Sequence, residues 1–382
     1  MTCPLCNKST TWSFCRMERA PIFCNVLYDT YQQALDAPVG TIELAFCPEC
    51  GLVYNAAYDP RLVKYSPSYE NSLFFSPRFR AYAHDQAASL VESLDLHGKR
   101  IVEIGCGDGG FLSEICSLGE NTGTGYDPAV RNGVHIKNVT LLPREFRPGS
   151  DVLEADLVLC RQVLEHVWSP REFLDGLRRS MAALPTPLFV EVPNGLWILG
   201  RGNLWDVIYE HCAYYTPPSL SVAMSRSGFV ARRIEPAFEG QFLTVETGEA
   251  SKPAVDVTDG IHEVEILVRQ FQSSSLHNVR FWRNQLSTLR EQNRRAVIWG
   301  AGSKGVTFLN ALDVGADVLP YVVDINPRKQ GKFVPASGQR VVAPQELVGH
   351  SPHVVIVMNP VYIEEIARQL DAMGIHCELM TV

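Results

Sequence analysis

Short apolar runs alternate with helix-patterned stretches through the middle of the chain. Residues 101–104 form an apolar run that predicts a buried strand, and the apolar spacing from 111 to 118 predicts a helix after it. Residues 157–160 and 188–192 predict further strands, and residues 161–167 are expected to begin a helix. Alternation of this kind is typical of a parallel sheet, so the region from about 101 to 247 predicts an α/β fold.

The flanking regions have other patterns. Strand-like runs such as 42–46 lie near the N-terminus, and an aromatic segment (residues 65–75) precedes a helix predicted from about 77 to 94. A polar stretch, 244–259, is interpreted as a boundary before a long or broken amphipathic helix at 261–294, for which we see only a linking role. Apolar runs at 296–299, 321–324 and 353–360 predict more strands. We therefore divide the chain into residues 1–60, 61–250, 251–294 and 295–382.

A glycine motif follows the strand at 101–104. Gly105, Gly107 and Gly110 have the spacing G-x-G-x-x-G, and Asp127 ends the next predicted strand about twenty residues on. This arrangement predicts a nucleoside site, with the Asp127 carboxylate placed for ribose hydroxyls. The glycine spacing alone suits NAD equally well. Glu103 favours a sulfonium cofactor, because such a cofactor has no pyrophosphate that a nearby acid would repel.

A second glycine loop lies near the C-terminus. Gly300, Gly302 and Gly305 repeat the spacing, Lys304 lies within the loop, and Asp324 ends the next predicted strand. The chain after 296 has the length of only half a dinucleotide domain. The loop therefore either holds substrate phosphates together with Lys304 or only packs.

Four of the eleven cysteines are organised as two C-x-x-C pairs, Cys3/Cys6 and Cys47/Cys50. Two such pairs complete a tetrahedral thiolate shell and predict zinc. A shell made of four cysteines leaves no position for water or substrate, so the predicted zinc is structural. Cys15 or Cys24 remains an alternative ligand, and scattered reduced thiols or a redox pair remain the alternatives to zinc.

Composition narrows the functional class. Hydrophobic residues make up 46% of the 382 residues and charged residues 20%, as in an ordinary soluble protein. The net charge of −8 argues against nucleic-acid partners and anionic membranes. The N-terminus does not have the pattern of a signal peptide, and no apolar run has the length of a membrane span. A cytoplasmic location is expected, and the oligomeric state is left open.

These features together resemble one family, the S-adenosylmethionine-dependent C-methyltransferases of nucleotide-linked deoxysugars. The resemblance covers essentially the whole chain. It rests on the four paired cysteines and on the sequences 103–107 (EIGCG), 161–166 (RQVLEH), 191–194 (EVPN), 209–211 (YEH), 300–305 (GAGSKG) and 323–331 (VDINPRKQG). It implies an α/β fold: a class I methyltransferase (Rossmann-like) core, a small N-terminal zinc-binding region and a second, C-terminal Rossmann-like domain that binds substrate or is structural.

The resemblance also implies roles for particular residues. Methylation at carbon requires an enolate, which a keto-sugar gives when a base removes its α-proton. His211 is the implied base, Glu210 its partner, Tyr209 a hydroxyl near the reacting oxygen, and Tyr69 a tyrosine that closes over the substrate. The implied cofactor residues are Glu103, Gly105, Gly107, Gly110, Asp127, Gln162 and His166. The implied substrate residues are Asn194, Lys304 and Lys329, and the implied zinc ligands are Cys3, Cys6, Cys47 and Cys50.

One departure from the family pattern bears on the substrate. The aromatic segment here reads Tyr69-Glu70-Asn71-Ser72, where the family usually has small hydroxyl residues. Three alternatives therefore stand beside C-methylation of a keto-sugar or similar small molecule. They are O- or N-methylation of a small-molecule natural product, a nicotinamide-dependent sugar oxidoreductase or epimerase, and a non-catalytic nucleotide-sugar-binding protein.

Overall fold

Three sheets organise the molecule. The computed structural model describes residues 1–131, 134–181, 186–248 and 257–382. The N-terminal part contains β1 (Trp12–Pro21), α1 (Tyr31–Leu35), β2 (Val39–Phe46) and β3 (Val53–Asn55). These strands form an antiparallel sheet in the order β1-β2-β3.

The central part alternates strands and helices, as the apolar pattern predicts. Its elements are α2 (Pro77–Ser93), β4 (Arg100–Ile104), α3 (Gly110–Gly119), β5 (Thr122–Tyr126), β6 (Val139–Leu142), β7 (Leu157–Arg161), α4 (Pro170–Ser180), β8 (Leu188–Pro193), α5 (Gly195–Arg201), β9 (Ala213–Tyr214), α6 (Pro217–Arg226), β10 (Ala231–Ala237) and β11 (Phe242–Thr247). β9 pairs with β3 and so completes the N-terminal sheet with a strand from the central part of the chain.

The central sheet has seven strands in the order β10-β11-β8-β7-β4-β5-β6. The strands from β6 to β8 are parallel, while β11 is antiparallel to both of its neighbours, β8 and β10. The strand order therefore reverses at β4. The chain continues from β4 to β5 and β6 on one side of it, and then to β7 and β8 on its other side. In such a sheet the ligand crevice lies outside the carboxyl ends of the strands at this switch point.

The C-terminal part begins with a 35-residue helix, α7 (Val257–Glu291). It continues with β12 (Ala296–Trp299), α8 (Ser303–Leu312), β13 (Tyr321–Val323), β14 (Arg340–Val342), α9 (Leu347–His350), β15 (Val354–Val357), α10 (Ile363–Ala372) and β16 (Glu378–Thr381). The five strands form a parallel sheet in the order β14-β13-β12-β15-β16. The predicted Rossmann-like arrangement of this region is confirmed.

The helix α7 does more than link two parts of the chain. Val264, Val268 and Phe271 are buried in a cluster with the N-terminal sheet, and Val279, Trp282, Leu286 and Leu289 are buried in a cluster with the C-terminal sheet. One unbroken amphipathic helix therefore contributes to two hydrophobic cores, and the interpretation as a mere linker is corrected. The predicted boundary between 250 and 251 lies outside the described residues.

The main departure from the predicted secondary structure follows β7. Residues 161–167 were expected to begin a helix, but the described chain forms only the 3₁₀ turn Leu164–His166, and α4 begins at Pro170. Gln162 has a φ of 54°, in the left-handed region, which turns the chain sharply after the strand. Pro170 suits the first turn of a helix because that position needs no backbone donor.

The other described 3₁₀ turns are Pro60–Leu62, Leu204–Asp206, Pro344–Glu346 and Pro360–Tyr362. Among the described helices, none combines the length and the apolar composition that crossing a membrane requires.

Candidate active site

The glycine loop after β4 forms one wall of the crevice. A methyl group at Gly105 would lie 2.1 Å from Cγ2 of Val163, and Gly105 has a φ of 73°, so only glycine fits there. A methyl group at Gly107 would meet no atom within 4 Å. The loop therefore packs tightly on the β7 side at Gly105 and leaves free space beside Gly107. Gly110 begins α3 and lies against the ring of Phe74 from the aromatic segment.

Asp127 follows β5 and fixes this loop. Its Oδ2 accepts a hydrogen bond from the backbone N–H of Gly107 at 2.9 Å, and its Oδ1 accepts one from Ala129 at 2.7 Å. Burial raises the pKa of the Asp127 carboxyl above its usual value. Each carboxylate oxygen can accept a further hydrogen bond, so the fixed carboxylate can still hold hydroxyl groups in the crevice.

The crevice opens into a cavity of about 380 Å³, a size suited to a small-molecule ligand. The cavity brings together several predicted site residues, namely Gly105, Gly107, Asp127, Gln162, His166 and Tyr69. Its remaining lining is Tyr65, Glu70, Asn71, Ser72, Ile104, Asp108, Tyr126, Pro128, Ala129, Arg131, Glu145, Phe146, Arg161, Val163, Val167 and Phe173. Residues of the aromatic segment thus form part of the cavity wall.

Glu103 lies beneath the cavity, not in its lining. Its side chain is buried, and Oε1 lies 3.7 Å from Nη1 of Arg161. Arg161 also donates to Oε1 of Glu191 at 2.9 Å and stacks over the ring of Phe111. Burial raises the pKa of Glu103 to about 7. Glu103 is therefore part of a buried acid–arginine cluster that supports the loop from below.

Gln162 joins the same cluster to the cavity wall. Its backbone N–H donates to the carbonyl oxygen of Glu191 at 2.7 Å, and its Nε2 donates to Oε1 of Glu191 at 3.2 Å. These two bonds hold the left-handed turn that directs the following residues towards the cavity.

His166 lies at the end of this turn and lines the cavity. Its Nδ1 lies 2.8 Å from the carbonyl oxygen of Glu210 and 2.7 Å from the hydroxyl of Tyr65. Because a carbonyl oxygen can only accept, Nδ1 carries the ring proton and Nε2 has a free lone pair. Burial lowers the pKa of His166 to about 4, so the ring is neutral at neutral pH.

Glu210 is fully buried and binds the aromatic segment. Its Oε1 accepts a hydrogen bond from the Tyr69 hydroxyl at 2.9 Å, and its Oε2 accepts one from the backbone N–H of Cys24 at 2.8 Å. Burial raises the pKa of Glu210 to about 7. The predicted pairing of Glu210 with the His211 ring is not formed, because the side chains of these consecutive residues point to different partners.

His211 contacts His166 and is not among the residues that line the cavity. The two rings make an edge-to-face contact with centroids 4.8 Å apart, and Nδ1 of His211 is buried with no hydrogen-bond partner among the described residues. Burial lowers the pKa of His211 well below its usual value, so this ring is also neutral. One nitrogen of each ring and one oxygen of Glu165 lie within 4.8 Å of one another.

Tyr209 does not reach the cavity. Its side chain is buried against Gly40 of β2, and its hydroxyl accepts a hydrogen bond from the backbone N–H of Asp59 at 3.0 Å. The expected position near a reacting oxygen is therefore corrected to a packing position beneath the N-terminal sheet.

Of the three predicted substrate residues, the structure places only Lys329 near the Tyr69–Glu210 pair. Its buried Nζ donates to the carbonyl oxygen of Ala301 at 3.0 Å and to Oδ1 of Asn25 at 3.3 Å, and its charge helps to lower the pKa of Glu210 against the larger effect of burial.

The other two predicted substrate residues have structural partners. Asn194 caps α5, where its Oδ1 accepts from the N–H of Leu196, and its Nδ2 donates to the carbonyl oxygen of Gly240. Lys304 forms an ion pair with Asp206. Neither residue lines the cavity, so the structure corrects both to positions away from it.

The second glycine loop is closed by its own acid. Asp324 accepts hydrogen bonds from the backbone N–H groups of Ala301 and Asn326, each at 2.8 Å. The loop repeats the Gly107–Asp127 arrangement, but no residue of it lines the cavity. Of the two interpretations given for this loop, packing accounts for the contacts of Lys304 and Asp324.

A charged cluster at the cavity was not predicted from the sequence. The Glu70 carboxylate forms an ion pair with Arg131, accepts from Nδ2 of Asn326 at 3.0 Å, and lies 3.3 Å from Nη1 of Arg328. Asp108 of the glycine loop pairs with both arginines. The cluster ties the aromatic segment to the central and C-terminal parts. The departure of Glu70 from the family pattern was the one signal of this cluster in the sequence. It did not indicate the partners of Glu70, because they lie far from it along the chain.

The paired cysteines come together at one point. Sγ of Cys3 lies 3.6 Å from Sγ of Cys50, and Sγ of Cys6 lies 3.5 Å from Sγ of Cys47, with all four side chains buried. Four thiolates at about 2.3 Å from a tetrahedral zinc ion lie about 3.8 Å apart, so the cluster fits zinc. Cys15 and Cys24 are not part of this four-cysteine cluster.

Two family models match the chain. One described as a methyltransferase domain matches residues 78–233, and one described as a C-methyltransferase C-terminal domain matches residues 256–376. The chain is similar to the C-methyltransferase NovU of Streptomyces niveus, with 26% identity over 299 residues that cover 72% of this chain and 70% of that protein.

Other similar proteins match about half of the chain. An O-methyltransferase of ubiquinone biosynthesis from Psychrobacter cryohalolentis is 24% identical over 189 residues, which cover 46% of this chain and 65% of that protein. A solved S-adenosylmethionine-dependent methyltransferase from Aquifex aeolicus matches with a TM-score of 0.36 and 17% identity, over 48% of this chain and 98% of that chain. The two family models and the similarity to NovU identify the chain as an S-adenosylmethionine-dependent methyltransferase that is similar to C-methyltransferases.

Proposed function

We propose that the chain methylates a carbon atom of a nucleotide-linked keto-deoxysugar, and that His211 removes the α-proton to form the enolate. The observation that carries this proposal is the cavity itself, which joins the glycine-loop crevice to a wall that contains Tyr69 and His166. Buried Glu210 holds Tyr69, and the His211 ring lies in contact with His166. The similarity to NovU, a C-methyltransferase, supports transfer to carbon.

The residues around the crevice fit S-adenosylmethionine. Asp127 would hold the ribose hydroxyls, the free space at Gly107 would admit the nucleoside, and Gln162 would close the β7 side. When bound, this cofactor supplies an electrophilic methyl group. The protein's contribution is to hold the acceptor carbon in line with that group, which converts a bimolecular encounter into an oriented one.

A neutral imidazole suits the proton-transfer step. His211 and His166 are both uncharged at neutral pH because burial lowers their pKa values, so a lone pair is available to accept a proton. Tyr69 faces the cavity with its hydroxyl held by Glu210. When Glu210 is protonated, it can donate to Tyr69, which frees the tyrosine proton for a developing enolate oxygen.

We also propose that Cys3, Cys6, Cys47 and Cys50 bind structural zinc. The spacing of their sulfur atoms supports this, and the metal would hold residues 3–6 to residues 47–50.

The test supplies the purified protein with S-adenosylmethionine carrying a ¹³C-methyl group and a panel of uniformly ¹³C-labelled nucleotide-linked keto-sugars. Carbon–carbon coupling between the new methyl group and a ring carbon is the expected NMR result. A methoxy signal without that coupling would instead establish O-methylation, the second candidate, which the similarity to an O-methyltransferase favours. Methyl transfer to none of the keto-sugars would overturn the proposed substrate class.

A further inference from the structure

We infer that Glu165, and not Glu210, is the carboxylate that positions His211 and balances its charge when it accepts the substrate proton. This inference rests on the proposed role of His211 as the base. It assigns a positioning role to Glu165, a residue of the RQVLEH sequence that has no role in the proposed function.

Glu165 is a buried carboxyl group beside both histidines. Its side chain is 1% exposed, and neither carboxylate oxygen has a hydrogen-bond partner among the described residues. One of its oxygens lies within 4.8 Å of a ring nitrogen of both His166 and His211, and Oε1 is 4.0 Å from Nε2 of His166. Leaving a buried polar group unpaired is unfavourable, so such a group needs a functional or water-mediated partner.

His211 offers the complementary group. Its Nδ1 is also buried without a partner among the described residues. An acceptor with two free oxygens therefore lies within 4.8 Å of one nitrogen of a ring whose Nδ1 has no partner among the described residues. If Nδ1–H of His211 faces Glu165, directly or through one water molecule, its Nε2 holds the lone pair that takes the substrate proton.

The neighbouring groups leave this pairing open. His166 donates its Nδ1 proton to the carbonyl oxygen of Glu210, so its Nε2 has no proton to offer Glu165. The Glu210 carboxylate is held by Tyr69 and by the N–H of Cys24. Both histidine rings beside Glu165 can accept a proton, but they differ in how they are held. His166 is already oriented by the bond of its Nδ1 to Glu210, whereas Nδ1 of His211 has no partner among the described residues.

The other titratable groups that face Glu165 do not replace this partner. Tyr65, Tyr215, Cys160 and Cys212 all have pKa values raised by burial and are uncharged at neutral pH. Glu191 is an acid and raises the pKa of Glu165 in addition to the larger effect of burial. A positive charge that balances ionised Glu165 can therefore form on one of the two neighbouring histidine rings, and the inference places it on His211.

The step balances without a further reactant. The α C–H bond of the ketone breaks, its electron pair forms the enolate, and the proton bonds to Nε2 of His211. The resulting imidazolium pairs with the Glu165 carboxylate, and the proton passes to solvent after the methyl group has been transferred. Burial raises the pKa of Glu165 to about 8, so the ionised form that this pairing requires increases as pH rises through about 8.

The test compares Glu165→Gln with the wild-type protein. We expect kcat to fall by about 100-fold, because a positioned general base contributes 10²–10⁴ in rate. KM and affinity for S-adenosylhomocysteine should stay within a few fold, and the rise of kcat through about pH 8 should disappear. Glu165→Asp should restore part of the rate. Glu114→Gln is the matched control, because Glu114 pairs with His84 near the surface.

A second readout needs no substrate. In ¹⁵N-histidine NMR of the protein with S-adenosylhomocysteine bound, Glu165→Gln should shift the tautomer balance of His211 and leave His166 unchanged. An unchanged His211 signal, or wild-type kcat in Glu165→Gln, would overturn the inference even if C-methylation is established. Failure of the wild-type protein to methylate any keto-sugar would count against the proposed function instead.

Metal analysis provides one more outcome. Glu165, His166 and His211 are also a ligand set that a divalent cation can use. A second metal equivalent, beyond that of the four cysteines and lost in Glu165→Gln, would overturn the inference, because a metal-bound His211 has no lone pair for the substrate proton.

Discussion

At the scale of single residues, Asp127 combines two functions. Its carboxylate fixes the glycine loop through the backbone N–H of Gly107, and it lines the cavity in which the cofactor is proposed to bind. A change at this residue therefore affects the shape of the loop and the hydrogen bonds to ribose together.

We predict that Asp127→Asn weakens binding of S-adenosylhomocysteine by more than tenfold, about 1.4 kcal/mol, because an amide keeps one acceptor of the carboxylate and loses its charge. Calorimetric titration measures this. Asp85→Asn, on the exposed face of α2, should bind as the wild type does. Equal affinity of Asp127→Asn and the wild type would place the cofactor elsewhere.

The sequence predicted which residues belong to the site better than it predicted where their side chains point. The sequence 209–211 suggested one catalytic group, but the structure sends Tyr209 under the N-terminal sheet, Glu210 to Tyr69, and His211 towards Glu165. No periodicity applies to a short irregular segment, so the sequence alone does not determine where three consecutive side chains point.

At the scale of elements, the strands and glycine turns were predictable because their patterns are local. Gly105 must be glycine because the tight turn between a strand and a helix needs a residue without a side chain, and the glycine spacing in the sequence already indicates such a turn. The 3₁₀ turn Leu164–His166 was not predictable from its apolar spacing, because the turn depends on the bonds of Gln162 to Glu191, a residue on the neighbouring strand β8.

The cysteine cluster gives a prediction for the N-terminal sheet. The double variant Cys47→Ser, Cys50→Ser should lose the zinc and lower the melting temperature, since two of four thiolates no longer bind the metal. Metal analysis and calorimetry measure these two effects. Cys377→Ser, at a half-buried position outside the cluster, is the matched control. Wild-type protein that contains no zinc would contradict the assignment.

At the scale of the whole molecule, the site depends on contacts between distant parts of the chain. The helix α7 contributes to two hydrophobic clusters, and Glu70 joins the aromatic segment to Arg131 and to Asn326. The sequence predicted the α/β architecture of both Rossmann-like parts. It did not predict these contacts, because they join segments far apart in the chain.

Three buried carboxyl groups give the molecule a pH-dependent stability. Burial raises the folded-state pKa of Glu103 and Glu210 to about 7 and that of Glu165 to about 8, from 4.5. Between pH 6.5 and 8 the folded protein therefore holds protons that the unfolded chain has released. The free energy of unfolding should fall as pH rises in this window, by up to about 1.4 kcal/mol per pH unit for each group.

Urea denaturation at several pH values measures this slope. Below about pH 6.5 the buried histidines oppose it, because the unfolded chain then binds protons that folded His166, with its pKa of about 4, does not. Glu165→Gln should make the fall of the unfolding free energy with pH above 6.5 less steep, by the contribution of one carboxyl group. A free energy of unfolding that rises with pH from 6.5 to 8 would contradict the assignment of these three carboxyl groups as buried and protonated.

A histidine base that forms an enolate next to the cofactor should also exchange the α-proton of the substrate with solvent when no methyl group can be transferred. The protein with S-adenosylhomocysteine bound is incubated in D₂O with a nucleotide-linked keto-deoxysugar, and loss of the α-proton signal is followed by NMR. We predict rapid exchange with the wild-type protein and with His84→Ala, and exchange at least about 100-fold slower with His211→Ala, whose affinity for S-adenosylhomocysteine should stay within a few fold. Exchange by His211→Ala at the wild-type rate would contradict the account.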